Sequence, residues 1–468
     1  MIIQNIVIIK NILIIALSFF LIILSFSILR SFILKNKKIK VLQFVTMNEE
    51  EKISYQQRLY ELIKIKTSSY NDNEGYHEFR EKLKDLFPSI HKYFKKDKID
   101  GHAIFSYKCP KVNVPNILFA THIDYSDQDQ EAHILGDEVY GNGTFDAKSL
   151  LFVMFEAVES ILVEHQGLDV NLTMVMATDD ETTKEGALKI VDRFMRKGEF
   201  FDLVIEEGTG IVDPQYIGLK SHYALIGLGV TGQVTLRFST TNDAFGRQQL
   251  QRFISDMKKH KFLKSKIDRK SAIVVKSLAK DMTFKHRYFL SNLYLFRKTT
   301  ARIIDKNYSQ LSKLLKTNFT YSEIIENEDK VFVDITYELA THDNTADIVL
   351  EIANLMEKYN IDYDILSNKE ESQLTKMYTE GYQVVCNVIN KVYHELYIAP
   401  IIIANISEKR YFDSVSDCVI RFSPLYYSNQ AFNDAKKGNS HVSSSSLEYG
   451  VNFFKEILKS YQRKKTNC

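Results

Sequence analysis

Along residues 116–208, short apolar runs alternate with amphipathic stretches: "NILFATHID", "DAKSLLFVMFEAVESILVEH", "NLTMVMATDD", "GALKIVDRFMRK", "FDLVIEEG". The runs read as buried strands and the stretches between them as helices. Strands that are apolar along their whole length need cover on both faces. The alternation therefore predicts βαβ units and a mainly parallel sheet, an α/β fold. Upstream, "NEEEKISYQQRLYELIKI" predicts a helix capped by Asn48, with acids in its first turn and Ile53, Leu59, Leu62 and Ile63 at helical spacing.

Each of these strands ends in charge. His122 and Asp124 stand two apart at the end of the first, so in extended chain they share a face, and a carboxylate so placed can hold a metal-binding imidazole. Asp146 lies in the Gly-rich turn "YGNGTFDAK" before a long helix; Asp179, Asp180 and Glu181 end the next strand; Glu206 and Glu207 end the one after. In open α/β sheets this edge is where ligands bind. One imidazole among several carboxylates is a nitrogen and oxygen donor set suited to zinc, manganese or cobalt, and a divalent cation is the natural counter-charge for acids crowded into one cleft. The plainer alternative is a satisfied polar pair at a strand end and separate solvated acids.

The rest of the composition excludes more than it suggests. A chain of 468 residues exceeds what one core normally supports, which predicts two packed units. A formal charge of +2 gives no argument for a nucleic-acid partner. Cys109, Cys386, Cys418 and Cys468 are scattered without CxxC spacing, which suggests neither a zinc ribbon nor a disulfide-dense fold. Residues 12–29, "ILIIALSFFLIILSFSIL", carry no charge and are long enough to cross a bilayer. The basic, bulky "RSFILKNKKIK" immediately after them favours an uncleaved single-pass anchor over a signal peptide with a small-x-small cleavage site. Under the positive-inside rule that flank places the domain after it in the cytosol.

Taken in order, these motifs resemble those of the zinc metallopeptidase family that includes carboxypeptidase S, the aminoacylases and the secreted N-acyl-amino-acid hydrolases, most closely the carboxypeptidase S branch. The resemblance runs over residues 49–461. It implies a mainly parallel-sheet, zinc-exopeptidase-like catalytic domain and two zinc ions. It also implies roles: His122 as a metal ligand with Asp124 orienting it, Asp146 bridging the metals, Asp180 as general base, Glu181 and Glu206 as further ligands, and Arg410 in "EKRYF" holding a substrate carboxylate. The implied reaction is hydrolysis of an amide bond in a small peptide or an N-acyl amino acid.

The same resemblance divides the chain. Residues 1–40 would be the anchor and its basic flank, 41–224 and 367–468 the two parts of the catalytic domain, and 225–366 an inserted α+β lid that mediates homodimerisation. Relatives work in a vacuolar or secretory lumen or outside the cell, against the positive-inside argument. The chain departs from the family at three places: Asp180 stands for the expected glutamate, Asn242 in "TTNDAF" stands nearest the oxyanion-stabilising histidine, and Lys436 occupies the position of the last ligand, five residues before His441. An ammonium cannot ligate a metal, so His441 becomes the candidate. Two functional classes remain: a membrane-anchored hydrolase with a partly degenerate site, or a family member that has lost catalysis and acts as a binding or scaffold protein at a membrane.

Overall fold

The computed structural model describes residues 2–35, 38–42, 48–68, 73–125, 130–179, 185–217, 219–259, 264–404 and 409–463. Its strands, in chain order, are β1 (Lys95–Ile99), β2 (His102–Tyr107), β3 (Asn116–His122), β4 (His133–Leu135), β5 (Glu138–Tyr140), β6 (Asn171–Ala177), β7 (Leu203–Glu206), β8 (Gly210–Val212), β9 (Tyr223–Val230), β10 (Gln233–Thr241), β11 (Asn318–Tyr321), β12 (Ile325–Glu326), β13 (Lys330–Glu338), β14 (Asp362–Lys369), β15 (Tyr397–Ile403), β16 (Val419–Arg421), β17 (Tyr426–Tyr427) and β18 (His441–Ser443). The chain forms two compact units, one of residues 40–217, 221–237 and 364–468, the other of residues 1–39, 218–220 and 238–363.

The larger unit is built on a ten-stranded sheet in the order β1-β2-β6-β3-β7-β16-β9-β8-β17, with β15 on β9. At its centre β3 runs parallel to β6 and β7, and β7 parallel to β16, as the apolar runs predict. The flanks are antiparallel, at β1 and β2 on one side and where β9 meets β8 and β16 on the other, so the sheet is mixed. Alternation along β3 sends neighbouring residues to opposite layers. Leu118 and Ala120 join a core with Ile190, Val191 and Phe194 of the helix Gly186–Arg196. Phe119, fully buried between them, meets Phe454 of the helix Ser444–Arg463 with ring centroids 4.8 Å apart. That helix packs against Lys148–His165, the crossover from the turn after β5 to β6. A separate three-stranded sheet, β18-β5-β4, lies in the same unit.

A further sheet has five strands, β11-β13-β10-β14 with β12 on β13, and β11, β12 and β13 lie wholly in the smaller unit. Residues along β13 alternate between buried and partly exposed, the mark of a sheet covered on one face. The expected domain start at Leu225 falls inside β9, a strand of the central sheet, and the change of unit comes after Arg237. The apolar helix Ile2–Ile33, expected as a separate segment 1–40, belongs to this unit as well, because two small polar residues near its end, Ser27 and Ser31, are buried in it.

Candidate metal centre

Parallel strands bring their C-terminal ends to one edge, and the register decides which residues arrive together. Ala120 of β3 pairs with Glu206 of β7, so His122 reaches past the last residue of β7 and comes level with the segment that begins at Glu207. There Nε2 of His122 lies 3.0 Å from Oδ1 of Asp146 and 3.0 Å from Oε2 of Glu207. Its other nitrogen, Nδ1, donates to the backbone oxygen of Asp124 at 3.0 Å and to Oδ1 of the same residue at 3.2 Å. Asp124 is fully buried and His122 nearly so. The strand-end pair thus has the geometry of a carboxylate that fixes the tautomer of an imidazole and leaves Nε2 to face the two acids.

Asp146 is carried by a turn with little freedom. Gly141 and Gly143 adopt φ of +138° and +90°, backbone that L side chains rarely take, and a Cβ on Gly143 would come within 2.8 Å of the Lys148 side chain. The hydroxyl of Thr144 donates to the Gly141 carbonyl at 2.7 Å, and that of Tyr427 to the Thr144 carbonyl at 2.8 Å. The Phe145 ring packs on Tyr427 and Phe432. After the turn, buried Lys148 gives Nζ to the carbonyl of Ile65 at 2.6 Å and faces the rings of Phe79 and Tyr125. Burial pushes its ammonium down to about 7.

The charges of the centre are mutually dependent. Burial opposes a charge on His122, but Glu207 and the hydrogen bonds to Asp124, Asp146 and Glu207 outweigh it and hold the imidazole well above its usual range. Burial and the charge of Asp146 push Glu207 up to about 8. Burial works against Asp146 too, yet the hydrogen bond and charge of His122 lower it. Without a cation, then, the centre keeps protons on Glu207 and His122 that an ordinary carboxylate and imidazole would have lost by neutral pH, while Asp146 stays ionised. Ligand atoms of His122, Asp146 and Glu207 all lie within 4.8 Å of one another, and one imidazole with two carboxylates is a donor set that fits a divalent cation. Because a cation must displace those protons, its affinity is expected to weaken as pH falls below about 8, by up to about tenfold per pH unit for each proton released. Competition with a chelating dye at several pH values measures this, and an affinity independent of pH would contradict the arrangement.

The expected residues are distributed unevenly around this centre. His122, Asp124 and Asp146 meet. Glu206, expected as a ligand, is buried beside Arg421, its cross-strand partner on β16, with Nε of Arg421 3.7 Å from its Oε2; the acid facing His122 is its neighbour Glu207. The doublet "EE" is visible in the sequence, but the cation that occupies the first of the two lies more than two hundred residues away. Arg421 also donates Nε to the Glu207 carbonyl at 2.7 Å. Among the described residues, His441 is not part of the cluster. It sits on β18, stacked on Tyr140 with centroids 4.7 Å apart, with Nδ1 3.0 Å from Glu138. β18 pairs antiparallel with β5, and that register, not the site, decides where the imidazole points. Lys436 caps the helix Asn429–Ala435 and is exposed.

In the smaller unit the side chain of Asn242 is engaged at both ends, giving Nδ2 to the Asn327 carbonyl and receiving Nε and Nη2 of Arg247 on Oδ1 at 2.9 and 2.7 Å. Asp179 takes the backbone N–H groups of Glu185 and Gly186 at the start of the helix Gly186–Arg196, a capping role. His222 accepts the Leu42 N–H on Nδ1 at 3.2 Å, a structural contact. Asp180, Glu181 and the side chain of Arg410 lie outside the described residues.

The family model for peptidase family M20/M25/M40 matches residues 118–460. Among curated proteins, the chain is 21% identical to probable carboxypeptidase S-like 2 of Dictyostelium discoideum, over 92% of this chain and 90% of that protein. It is 22% identical to an N-fatty-acyl-amino acid synthase/hydrolase of Bos taurus, over 88% of each. Among solved structures, an M20 family metallo-carboxypeptidase of Sulfolobus solfataricus aligns with a TM-score of 0.60 and 16% identity, covering 89% of this chain and 99% of that one, which shows a shared fold.

Proposed function

We propose that this chain, which belongs to peptidase family M20/M25/M40, is a membrane-anchored, metal-dependent hydrolase of amide bonds in small peptides or N-acyl amino acids. The observation that carries the reading is the convergence of His122 and Glu207, at the ends of two parallel strands, with Asp146 from the Gly-rich turn, and with Asp124 behind the imidazole. Proteins similar to it over most of their length bear the names of a carboxypeptidase and of an N-fatty-acyl-amino acid synthase/hydrolase, which supports the substrate class. A protein retained only as a scaffold would have no use for a buried imidazole backed by a buried carboxylate and held against two further acids, so the inactive alternative is not favoured.

His122, Asp146 and Glu207 would hold the ion, zinc in our reading, with Glu181 as a candidate for the second position of a two-metal site. When bound, such an ion supplies Lewis-acid polarisation of the scissile carbonyl. The chain's own residues do the rest. Asp124 keeps a proton on Nδ1 of His122 so that Nε2 stays a donor of electrons. Asp180 takes a proton from the attacking water and returns it to the leaving amine. Arg410 pairs with a substrate carboxylate through two charge-assisted hydrogen bonds. Asn242, whose amide is taken up by Asn327 and Arg247, is not assigned a catalytic part. The smaller unit would act as the lid and dimerisation domain, with the enzyme facing a vacuolar or secretory lumen or the exterior.

Metal content by inductively coupled plasma mass spectrometry, measured beside hydrolysis of an N-acyl amino acid, tests the proposal. Protein extracted in detergent without chelator is expected to carry at least one ion per chain and to hydrolyse the substrate, and Glu181→Ala to abolish turnover. Equal residual activity in Glu181→Ala, or a metal-free wild-type protein, would overturn the hydrolase reading.

A further inference from the structure

The apolar helix Ile2–Ile33 ends in contacts that neither a lipid-facing nor a discarded segment would need. Ser27 and Ser31, one turn apart, are fully buried against the helix Phe284–Ser291 and the residue after it. Asn292, also fully buried, donates its side-chain amide to the Ser27 carbonyl and to Ser31 Oγ, each at 3.1 Å. The Ser27 hydroxyl lies 3.2 Å from that of Tyr288. Buried Arg287 donates Nε to the Ser31 carbonyl at 2.7 Å. Phe32 and Phe284 meet with centroids 5.0 Å apart, and Arg30 lies over the Tyr294 ring at 5.7 Å. Removing the helix would leave a buried guanidinium and a buried amide without these partners, a loss a folded unit does not tolerate cheaply. The helix is therefore an integral part of this unit.

Its length places those contacts in depth. The apolar span runs over Ile8–Ile33. At 1.5 Å per residue, a hydrocarbon layer of roughly 30 Å takes about 20 residues, which from Ile8 ends at about Ser27. Ser27, Arg30, Ser31 and Phe32 then stand at headgroup level, and the helix Phe284–Ser291 and the start of Leu293–Asn307, as far as Tyr294 under Arg30 and before the break in helical backbone at Phe296, are held beside them. Their exposed side chains suit such a layer. Phe284, Tyr294 and Leu295 are exposed apolar groups, and Lys285, Arg297, Lys298, Arg302 and Lys306 are exposed bases. Residues 284–307 carry a single acid, Asp305. Aromatic rings at the water interface beside an excess of bases suit a bilayer whose leaflet on the enzyme's own side, lumenal or exterior in the reading above, includes anionic headgroups.

We propose that the helices Phe284–Ser291 and Leu293–Asn307 lie on the surface of the bilayer that holds the anchor, their apolar side chains at the acyl boundary and their bases on anionic phospholipid headgroups. The smaller unit thus has two attachments to the membrane, the second formed by a surface that the anchor itself positions. The proposal rests on the reading of Ile8–Ile33 as a membrane span.

The chain contains no tryptophan, so one introduced residue reports its surroundings without background. Full-length Leu295→Trp and Ile15→Trp, each reconstituted into phosphatidylcholine vesicles containing phosphatidylserine, are compared for quenching by brominated lipids. Ile15→Trp is expected to be quenched by bromines near the bilayer centre and Leu295→Trp by bromines near the headgroups, with blue-shifted emission. Adding Arg297→Glu and Lys298→Glu is expected to reduce quenching of Leu295→Trp and to leave that of Ile15→Trp unchanged. Quenched Ile15→Trp beside unquenched, solvent-exposed Leu295→Trp overturns the surface contact and keeps the anchor. Unquenched emission from both overturns the anchor reading and the proposal with it. Quenching of Leu295→Trp that the charge reversal does not touch overturns the assignment to anionic headgroups.

Discussion

Glu207→Gln is expected to strip the protein of metal and to slow amide hydrolysis at least about a thousandfold, the equivalent of roughly 4 kcal/mol in the barrier. Glu206→Gln, one residue earlier, is expected to keep its metal and to lose no more than about tenfold. The contrast comes from geometry. Oε2 of Glu207 faces Nε2 of His122 at 3.0 Å, whereas Glu206 is paired across the sheet with Arg421. The amide of glutamine keeps the volume of either side chain but removes the negative charge, so only a carboxylate that touches the ion should matter. Metal content and turnover of the two variants, measured side by side, decide the matter. The reverse pattern, with Glu206→Gln metal-free and Glu207→Gln active, would restore the assignment that the family resemblance implies.

Phe119→Ala is expected to cost about 3–5 kcal/mol of stability, by loss of buried area and by the cavity left behind. Total stabilities of roughly 5–15 kcal/mol make that a large fraction. Phe119 is fully buried on β3, between Leu118 and Ala120, which face the opposite layer, and its ring meets Phe454 at 4.8 Å. Three residues later the same strand presents His122, so loosening the layer behind β3 also loosens the imidazole. Urea titration followed by circular dichroism measures the first effect and metal affinity the second. A loss below about 1 kcal/mol would mean that the helix Ser444–Arg463 contributes little to this core, against its contacts with the helix Lys148–His165.

Comparison of Glu206 with Glu207, and of His441 with His122, shows where one-dimensional inference ends. His122 and Asp124 were legible as a pair because both lie on one extended segment, where spacing alone sets the face. Asp146 was legible because its Gly-rich turn immediately precedes the crossover helix. Choosing between Glu206 and Glu207 required the partner strand, since Arg421 on β16 is what engages the first. His441 is near Lys436 in sequence, but β18 pairs with β5 and turns the imidazole to Glu138 and Tyr140. The antiparallel flanks of the sheet were not legible either. β8, β9 and β16 are short or uniformly buried, and their direction depends on which neighbour they meet.

By itself the sequence determined the properties that local periodicity encodes: apolar strands alternating with helices, their charged ends, and an uncharged segment long enough to span a bilayer. These are set within a few residues by side-chain spacing and hydrophobicity. The tertiary structure alone decided register and partnership. It turned Glu207 rather than Glu206 toward His122, placed His441 in a separate sheet, and joined the end of the apolar helix to Arg287 and Asn292. Each of these outcomes depends on contacts between residues far apart in the chain, and a buried charge or amide settles only where a distant partner is brought to meet it.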